Sequence, residues 1–129
     1  MPELKKRIVV IEDEVDILEL LNLILSRNGY EVYLCDNGRN ALDLIRKVRP
    51  HLVLLDVMLP GYDGKYIADA MARDEEMQGS SIMIVSALEA SEKMFIGNAQ
   101  VKDFCLKPFR TSTLLEKVKH IMGDDEENQ

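Results

Sequence analysis

HLVLLDVMLPGYDG, residues 51–64, decides the fold. Its opening residues, His51 to Leu55, read as a short buried strand. The run is apolar without the polar alternation of a half-exposed strand, so both faces are covered, as in a parallel sheet. It ends in a carboxylate, Asp56. Pro60-Gly61 and Asp63-Gly64 follow within eight residues and turn the chain sharply away. A hydrophobic strand that delivers an acid to its tip and then bends off asks what the acid is for.

Working outward, the same kind of run recurs. RIVVIED (7–13), EVYLCD (31–36) and SIMIVSA (81–87) are strands, and KDFCLKPF (102–109) contains a fifth. Between them the period changes from strand to helix. DILELLNLILSRNG (16–29) sets Ile17, Leu20, Leu21, Ile24 and Leu25 on one stripe, and Gly29 is a natural stop. RNALDLIRKV (39–48) repeats Ala41, Leu44, Ile45 and Val48, with Pro50 just beyond. GKYIADAMARDE (64–75) turns Ile67, Ala70 and Met71 inward, and STLLEKVKHIM (112–122) does the same with Leu114, Leu115, Val118, Ile121 and Met122. EASEKMFIGNAQVKDF (89–104) has a weaker stripe, interrupted at Gly97-Asn98. Strands alternating with helices predict an α/β fold, a parallel five-stranded sheet with helices on both faces and right-handed crossovers.

Composition agrees. The chain has 129 residues, long enough for one domain with a real core. No apolar run reaches the roughly 20 residues that span a bilayer, and MPELKKRIVVIED is not an export signal. A cytoplasmic protein without membrane attachment is expected. Cys35 and Cys105 lie in strand-like runs without CxxC spacing, so reduced, buried thiols are expected. The net charge is −7, of which the tail GDDEENQ carries four negative charges, leaving −3 on the rest. That mild acidity speaks against nucleic-acid binding, which needs a clustered basic patch. Residues 1–123 are expected to form the domain and 124–129 a solvated, flexible acidic tail.

A doubly wound sheet binds ligands at the carboxyl ends of its strands, near the point where strand order reverses. There the first strand ends in Glu12-Asp13, the third in Asp56, the fourth in Ser86-Ala87 and the fifth in Lys107-Pro108. Three clustered carboxylates repel one another and are tolerable around a cation. All are hard oxygen ligands, which selects Mg2+, with Mn2+ as the alternative, over zinc. A hydroxyl and an ammonium complete surroundings suited to a phosphoryl group. Each element alone has a plainer explanation: a turn, a cap by Asp13, Asp16 or Asp56, a small residue at a strand end. Their joint position is what argues for a site.

The set VVIEDE, LVLLDVMLPGYDG, IVSAL and FCLKPF closely resembles the response-regulator receiver domain of two-component signalling, chemotaxis-regulator-like, over residues 6–122. The resemblance implies a flavodoxin-like (βα)5 three-layer sandwich with strand order 2-1-3-4-5. It implies that Asp56 accepts a phosphoryl group from a histidine kinase or histidine phosphotransfer protein. Asp13, Asp56 and the Met58 carbonyl would hold Mg2+ directly, and Glu12 through a water. Lys107, Ser86 and the Ala87 backbone N–H would bind the phosphoryl oxygens, and Ser86 with Phe104 would form the switch. It further implies a signalling domain, not an enzyme beyond self-phosphorylation and self-dephosphorylation, with a protein output target of unstated identity. A homodimer through the fourth-helix, fifth-strand, fifth-helix face belongs to the same expectation. Gln100 and Val101 depart from the Gly-Ala pair usual before the fifth strand, and Arg110 and Thr111-Ser112-Thr113 from an acidic cap, so that Thr111 or Ser112 is expected to cap the last helix.

Other readings differ in chemistry. An FMN or nucleotide binder needs a phosphate-cradling loop after the first strand, where this chain has EDEVD. An aspartyl-phosphate phosphatase needs a second acid two residues after its nucleophile, where this chain has Met58. A non-phosphorylated interaction module on the same scaffold would not need the complete set of acids, hydroxyl and lysine.

Overall fold

The computed structural model describes residues 4–125. Five parallel strands form one sheet in the order β2-β1-β3-β4-β5. They are β1 Arg7–Ile11, β2 Glu31–Cys35, β3 Leu52–Leu55, β4 Ser81–Ser86 and β5 Val101–Leu106. Four α-helices connect and flank them: α1 Val15–Arg27, α2 Ala41–Val48, α3 Gly64–Ala72 and α4 Thr111–Met122. The crossover between β4 and β5 is a 3-10 segment, Glu89–Phe95.

Alternation of side chains across each strand builds two cores. Val9, Ile11, Val53, Leu55, Ile82 and Ile84 point to the side covered by α2, α3 and the 3-10 segment, where Ala41, Ile45, Ile67, Met71 and Phe95 meet them. Ile8, Val10, Leu52, Leu54, Met83 and Val85 point to the side covered by α1 and α4, where Leu21, Leu25, Leu114 and Val118 meet them. That is why β1, β3 and β4 are continuously apolar, whereas β2 and β5 at the edges are partly exposed. The two cysteines are free and buried, one in each core.

Several details differ from the sequence reading. In α1 the buried positions are Leu18, Leu21, Ile24 and Leu25, while Leu20 is 41% exposed. The buried stripe takes in Leu18 and leaves Leu20 out, with Ile17 partly buried against the same core. Neither Asp13 nor Asp16 caps α1: its N-cap is Glu14, with no side-chain cap bond. Thr111 opens α4 after Arg110, again without a side-chain cap bond, so neither Thr111 nor Ser112 caps it.

The fourth crossover is the largest difference. The stretch expected to be a weak α-helix is seven residues of 3-10 structure, ended by Ile96 and by Gly97 at φ +88°. A positive φ suits glycine and breaks the helix there. Gln100 ties the chain's re-entry into the sheet to the preceding loop. Its side-chain amide donates to the Met77 and Ser80 carbonyls at 2.9 and 3.0 Å, and its own carbonyl accepts from the Ile82 N–H at 2.8 Å. The start of β5 is thereby clipped to the end of the α3–β4 loop. At the chain's other end, Asp124 accepts from Lys6 Nζ and from the Tyr30 hydroxyl, both at 2.9 Å, so this part of the acidic tail is anchored. Residues 126–129 of the expected tail lie outside the described residues.

The register puts the strand tips together. Ile11 pairs with Leu55, and Leu55 with Ile84. The residues just beyond, Glu12 and Asp56, are therefore neighbours, and the Asp56 N–H donates to the Ile11 carbonyl at 3.1 Å. The turn after Asp56 is set by close backbone approach. Gly61 sits at φ +86°, and Gly64, the first residue of α3, lies against the β3 tip. A Cβ on Gly64 would come within 2.3 Å of the Asp56 carbonyl oxygen and 2.8 Å of Val57 Cα. Only glycine lets α3 start this close to the acid. We expect Gly64→Ala to lower stability by about 1–3 kcal/mol, because the backbone itself must give way. Thermal or urea unfolding measures this, and a loss within a few tenths of a kcal/mol would show that the β3–α3 turn relaxes freely.

Candidate functional site

The described chain brings Glu12, Asp13, Asp56, Ser86 and Lys107 to the carboxyl edge of the sheet, while Phe104 lies within β5. Glu12 is 1% exposed and Asp56 5%. Asp13 is exposed at the mouth. One oxygen from each of the three lies within 4.8 Å of the others. Ser86, at the end of β4, is buried, and its Oγ accepts from the Leu88 N–H at 3.1 Å. Ala87 is exposed beside it. Met58 extends its side chain into solvent and donates its N–H to Asp56 Oδ1 at 3.2 Å. The plain reading of Asp56 as a turn cap is thus partly right, since one oxygen does hold the turn. The other oxygen, Oδ2, is 2.9 Å from Lys107 Nζ.

Lys107 is the balancing charge. Its side chain is 8% exposed, and its ammonium lies 2.5 Å from Glu12 Oε1 and 2.9 Å from Asp56 Oδ2. Burial alone would pull this ammonium's pKa down. The contacts with Glu12 and Asp56 outweigh burial and hold it above the usual lysine range. Glu12 is pushed the other way for an acid. Burial raises its carboxyl to about 7, against the opposing pull of Lys107 and the Glu14 N–H, and the Asp56 charge adds to the rise. Glu12 Oε1 is buried and makes no well-aligned hydrogen bond among the described residues, its 2.5 Å approach to Lys107 being an ion-pair contact only. The Lys107 ammonium is the only charge partner of this buried oxygen among the contacts described, and it shares that ammonium with Asp56.

Phe104 is half-buried on β5 and packs against Phe95 of the 3-10 segment, ring centroids 6.1 Å apart and tilted by 48°. A cavity of about 300 Å³ lies alongside, lined by Ser86, Leu88, Ser91 and Phe104 among others. Glu14, which follows the Glu12-Asp13 pair, was not assigned a role from sequence. Its carboxylate reaches to 3.6 Å from Lys107 Nζ while remaining 63% exposed. The signal that could have found it is the unbroken triplet of acids in VVIEDE.

With this geometry in place, comparison with known proteins is informative. A family model described as the response regulator receiver domain matches residues 8–119. The chain belongs to the response regulator receiver domain family. The response regulator protein TrrA of Thermotoga maritima, solved in complex with Mg(2+)-BeF, is 30% identical, with TM-score 0.79 over 90% of this chain and 98% of that one. A response regulator receiver domain protein of Methanospirillum hungatei JF-1 is 26% identical, with TM-score 0.83 over 98% and 100% of the two chains. The receiver domain of the sensor histidine kinase PA1611 from Pseudomonas aeruginosa, with a magnesium ion in its active-site cleft, shares the fold at 22% identity, with TM-score 0.83 over 93% and 99%. Receiver domains are signalling modules that take phosphoryl groups from histidine kinases or phosphotransfer proteins, and this domain has their flavodoxin-like architecture and strand order.

The raised Glu12 pKa has a consequence for stability. An acid whose folded pKa exceeds its unfolded value near 4.5 weakens the fold as it ionises. The loss begins near pH 4.5, grows through about 7 and is complete above that. Lys107, raised from a value already above 10, contributes a constant amount over the same range. We expect Glu12→Gln, measured by thermal unfolding without divalent cations, to gain on the parent protein steadily from pH 5 to pH 8. A difference in Tm that stays flat across this range would show that Glu12 is not held protonated by burial.

Proposed function

We propose that this receiver domain accepts a phosphoryl group on Asp56 from the phosphohistidine of a histidine kinase or phosphotransfer protein, with Mg2+ as cofactor, and reports it through Ser86 and Phe104. The observation that carries the reading is the Asp56 carboxylate itself. It is almost buried at a sheet edge, with one oxygen fixed by a backbone N–H and the other against an ammonium.

The donor set fits a hard divalent cation. Three carboxylates converge within 4.8 Å, one of them exposed to solvent, with a single buried ammonium, Lys107, beside them. Asp13, Asp56 and the Met58 carbonyl would hold Mg2+ directly, and Glu12 through a water. When bound, Mg2+ would supply positive charge for the phosphoryl oxygens, which one lysine among three carboxylates does not. TrrA, at 30% identity, was solved with this ion and BeF, which supports the assignment.

Asp56 attacks phosphorus with a carboxylate oxygen. A new oxygen–phosphorus bond forms as the phosphorus–nitrogen bond to the donor histidine breaks, and the imidazole leaves with the bonding electrons. Such a transfer needs positioning and charge neutralisation more than covalent help. Lys107 already holds its ammonium 2.9 Å from Asp56 and neutralises one phosphoryl oxygen. Ser86, whose oxygen accepts from Leu88, keeps its hydroxyl hydrogen to donate to another, and the Ala87 N–H adds a second donor. Drawing Ser86 toward the phosphoryl group enlarges the adjacent cavity, and Phe104 lines that cavity. A bond at Asp56 thereby biases ring packing some way from it, which is how a local charge becomes a change of surface.

The surface that changes is the face of the 3-10 segment, β5 and α4, where Ile96 is 84% and Leu106 49% exposed. An output protein, or a second copy of this chain, would read it there. No described helix is long and apolar enough to cross a membrane, and we place the domain in the cytoplasm, where histidine kinases present their phosphohistidine. We expect incubation with acetyl phosphate and Mg2+ to add one phosphoryl group, by mass, to the parent protein. Asp56→Asn, which removes the nucleophilic oxygen and retains the shape, should take none. Labelling of Asp56→Asn to the parent extent would move the acceptor elsewhere, and no labelling of either would leave an interaction module that is not phosphorylated.

A further inference from the structure

We infer that Glu14 is a positioning and specificity residue of this site, an exposed negative guard that slows phosphorylation by small anionic donors. The inference rests on the acceptor role proposed for Asp56. Glu14 is the N-cap residue of α1, a place where a side chain ordinarily accepts a hydrogen bond from the helix's free N–H groups. Here it makes no such bond. Its N–H is spent on Glu12 Oε2 at 3.0 Å, and its carboxylate instead approaches Lys107 Nζ to 3.6 Å. The carboxylate does not belong to the group of oxygens from Glu12, Asp13 and Asp56 that converge within 4.8 Å. A divalent cation in that group leaves the Glu14 charge standing.

Two effects follow, and both oppose a small anion. Lys107 is shared among three carboxylates, at 2.5, 2.9 and 3.6 Å, so Glu14 competes with an incoming phosphoryl oxygen for the ammonium. Glu14 is also 63% exposed where Glu12 and Asp56 are buried, so its field meets the donor at the mouth. One unit charge several ångströms away, in water and partly screened, changes the approach rate of a doubly charged donor by roughly threefold and that of a singly charged donor by less. A protein donor that brings its own positive groups against Glu14 does not suffer this. The residue thus favours a protein phosphodonor over the free acyl phosphates of metabolism.

The test is the initial rate of Asp56 labelling, with Mg2+ present, in the parent protein, Glu14→Gln and Glu14→Asp. Two donors are compared: acetyl phosphate, a dianion at neutral pH, and phosphoramidate, which carries one negative charge less. We expect Glu14→Gln to label faster than the parent with acetyl phosphate by roughly threefold. The gain should be smaller with phosphoramidate and should shrink as salt is raised. Glu14→Asp should stay close to the parent. A gain of equal size with both donors and insensitive to salt overturns the inference in favour of a rearranged α1 terminus. So does the absence of any gain while the parent labels normally. If no protein is labelled by either donor, the acceptor reading itself falls, and this inference with it.

Discussion

One ammonium between two buried acids organises this molecule. Lys107 contacts Glu12 and Asp56 together, and those carboxylates come from the first and third strands while the lysine follows the fifth. A single ion bridge therefore closes the carboxyl edge of the sheet across strands that are not neighbours in sequence. Buried charges of this kind do little for stability by themselves, since their desolvation offsets most of the attraction. They are better understood as a tense balance that a ligand can shift. The raised pKa of Glu12 reflects that balance: burial pushes its carboxyl up, the Lys107 ammonium and the Glu14 N–H oppose the rise, and the Asp56 charge adds to it.

The fold exists, in this view, to bring incompatible charges together and keep them there. Two separate apolar layers hold the three central strands, so their tips do not spread under repulsion. The backbone at the β3 tip is fixed by Gly64, which admits α3 to within contact of Asp56, and by the Met58 N–H. The side facing the 3-10 segment is looser. A cavity adjoins Ser86, and Phe104 is only half-buried between it and Phe95. Rigidity at the acid and slack at the hydroxyl would suit the proposed switch, in which the charge change is local and the packing response needs room.

Most of this was legible in the sequence, for definite reasons. The apolar runs at 7–13, 51–56 and 81–87 are buried on both faces, and a continuous run cannot be mistaken for a half-exposed strand. Since those strands are parallel, the residues ending each run had to share one edge, and that placed Glu12, Asp56 and Ser86 together. What was not legible depended on packing. Leu18 and Leu20 are equivalent in composition, and only the position of α1 relative to the sheet buries one and exposes the other. The fourth crossover ends where Gln100 reaches the Met77 and Ser80 carbonyls, partners some twenty residues away in sequence that no local pattern announces. Glu14 was hidden in plain view, because its approach to Lys107 depends on a cap position left unfilled by its side chain.

The central claim is that burial beside Asp56 holds the Glu12 carboxyl up against the pull of Lys107, so that near pH 7 it keeps part of its proton, which the proposed divalent cation would displace. Proton release on adding Mg2+ to lightly buffered protein near pH 7 measures this directly. The account predicts release of a fraction of a proton per molecule in the parent protein and almost none in Glu12→Gln. Binding of Mg2+ without proton release, or an equal release from both proteins, would contradict it.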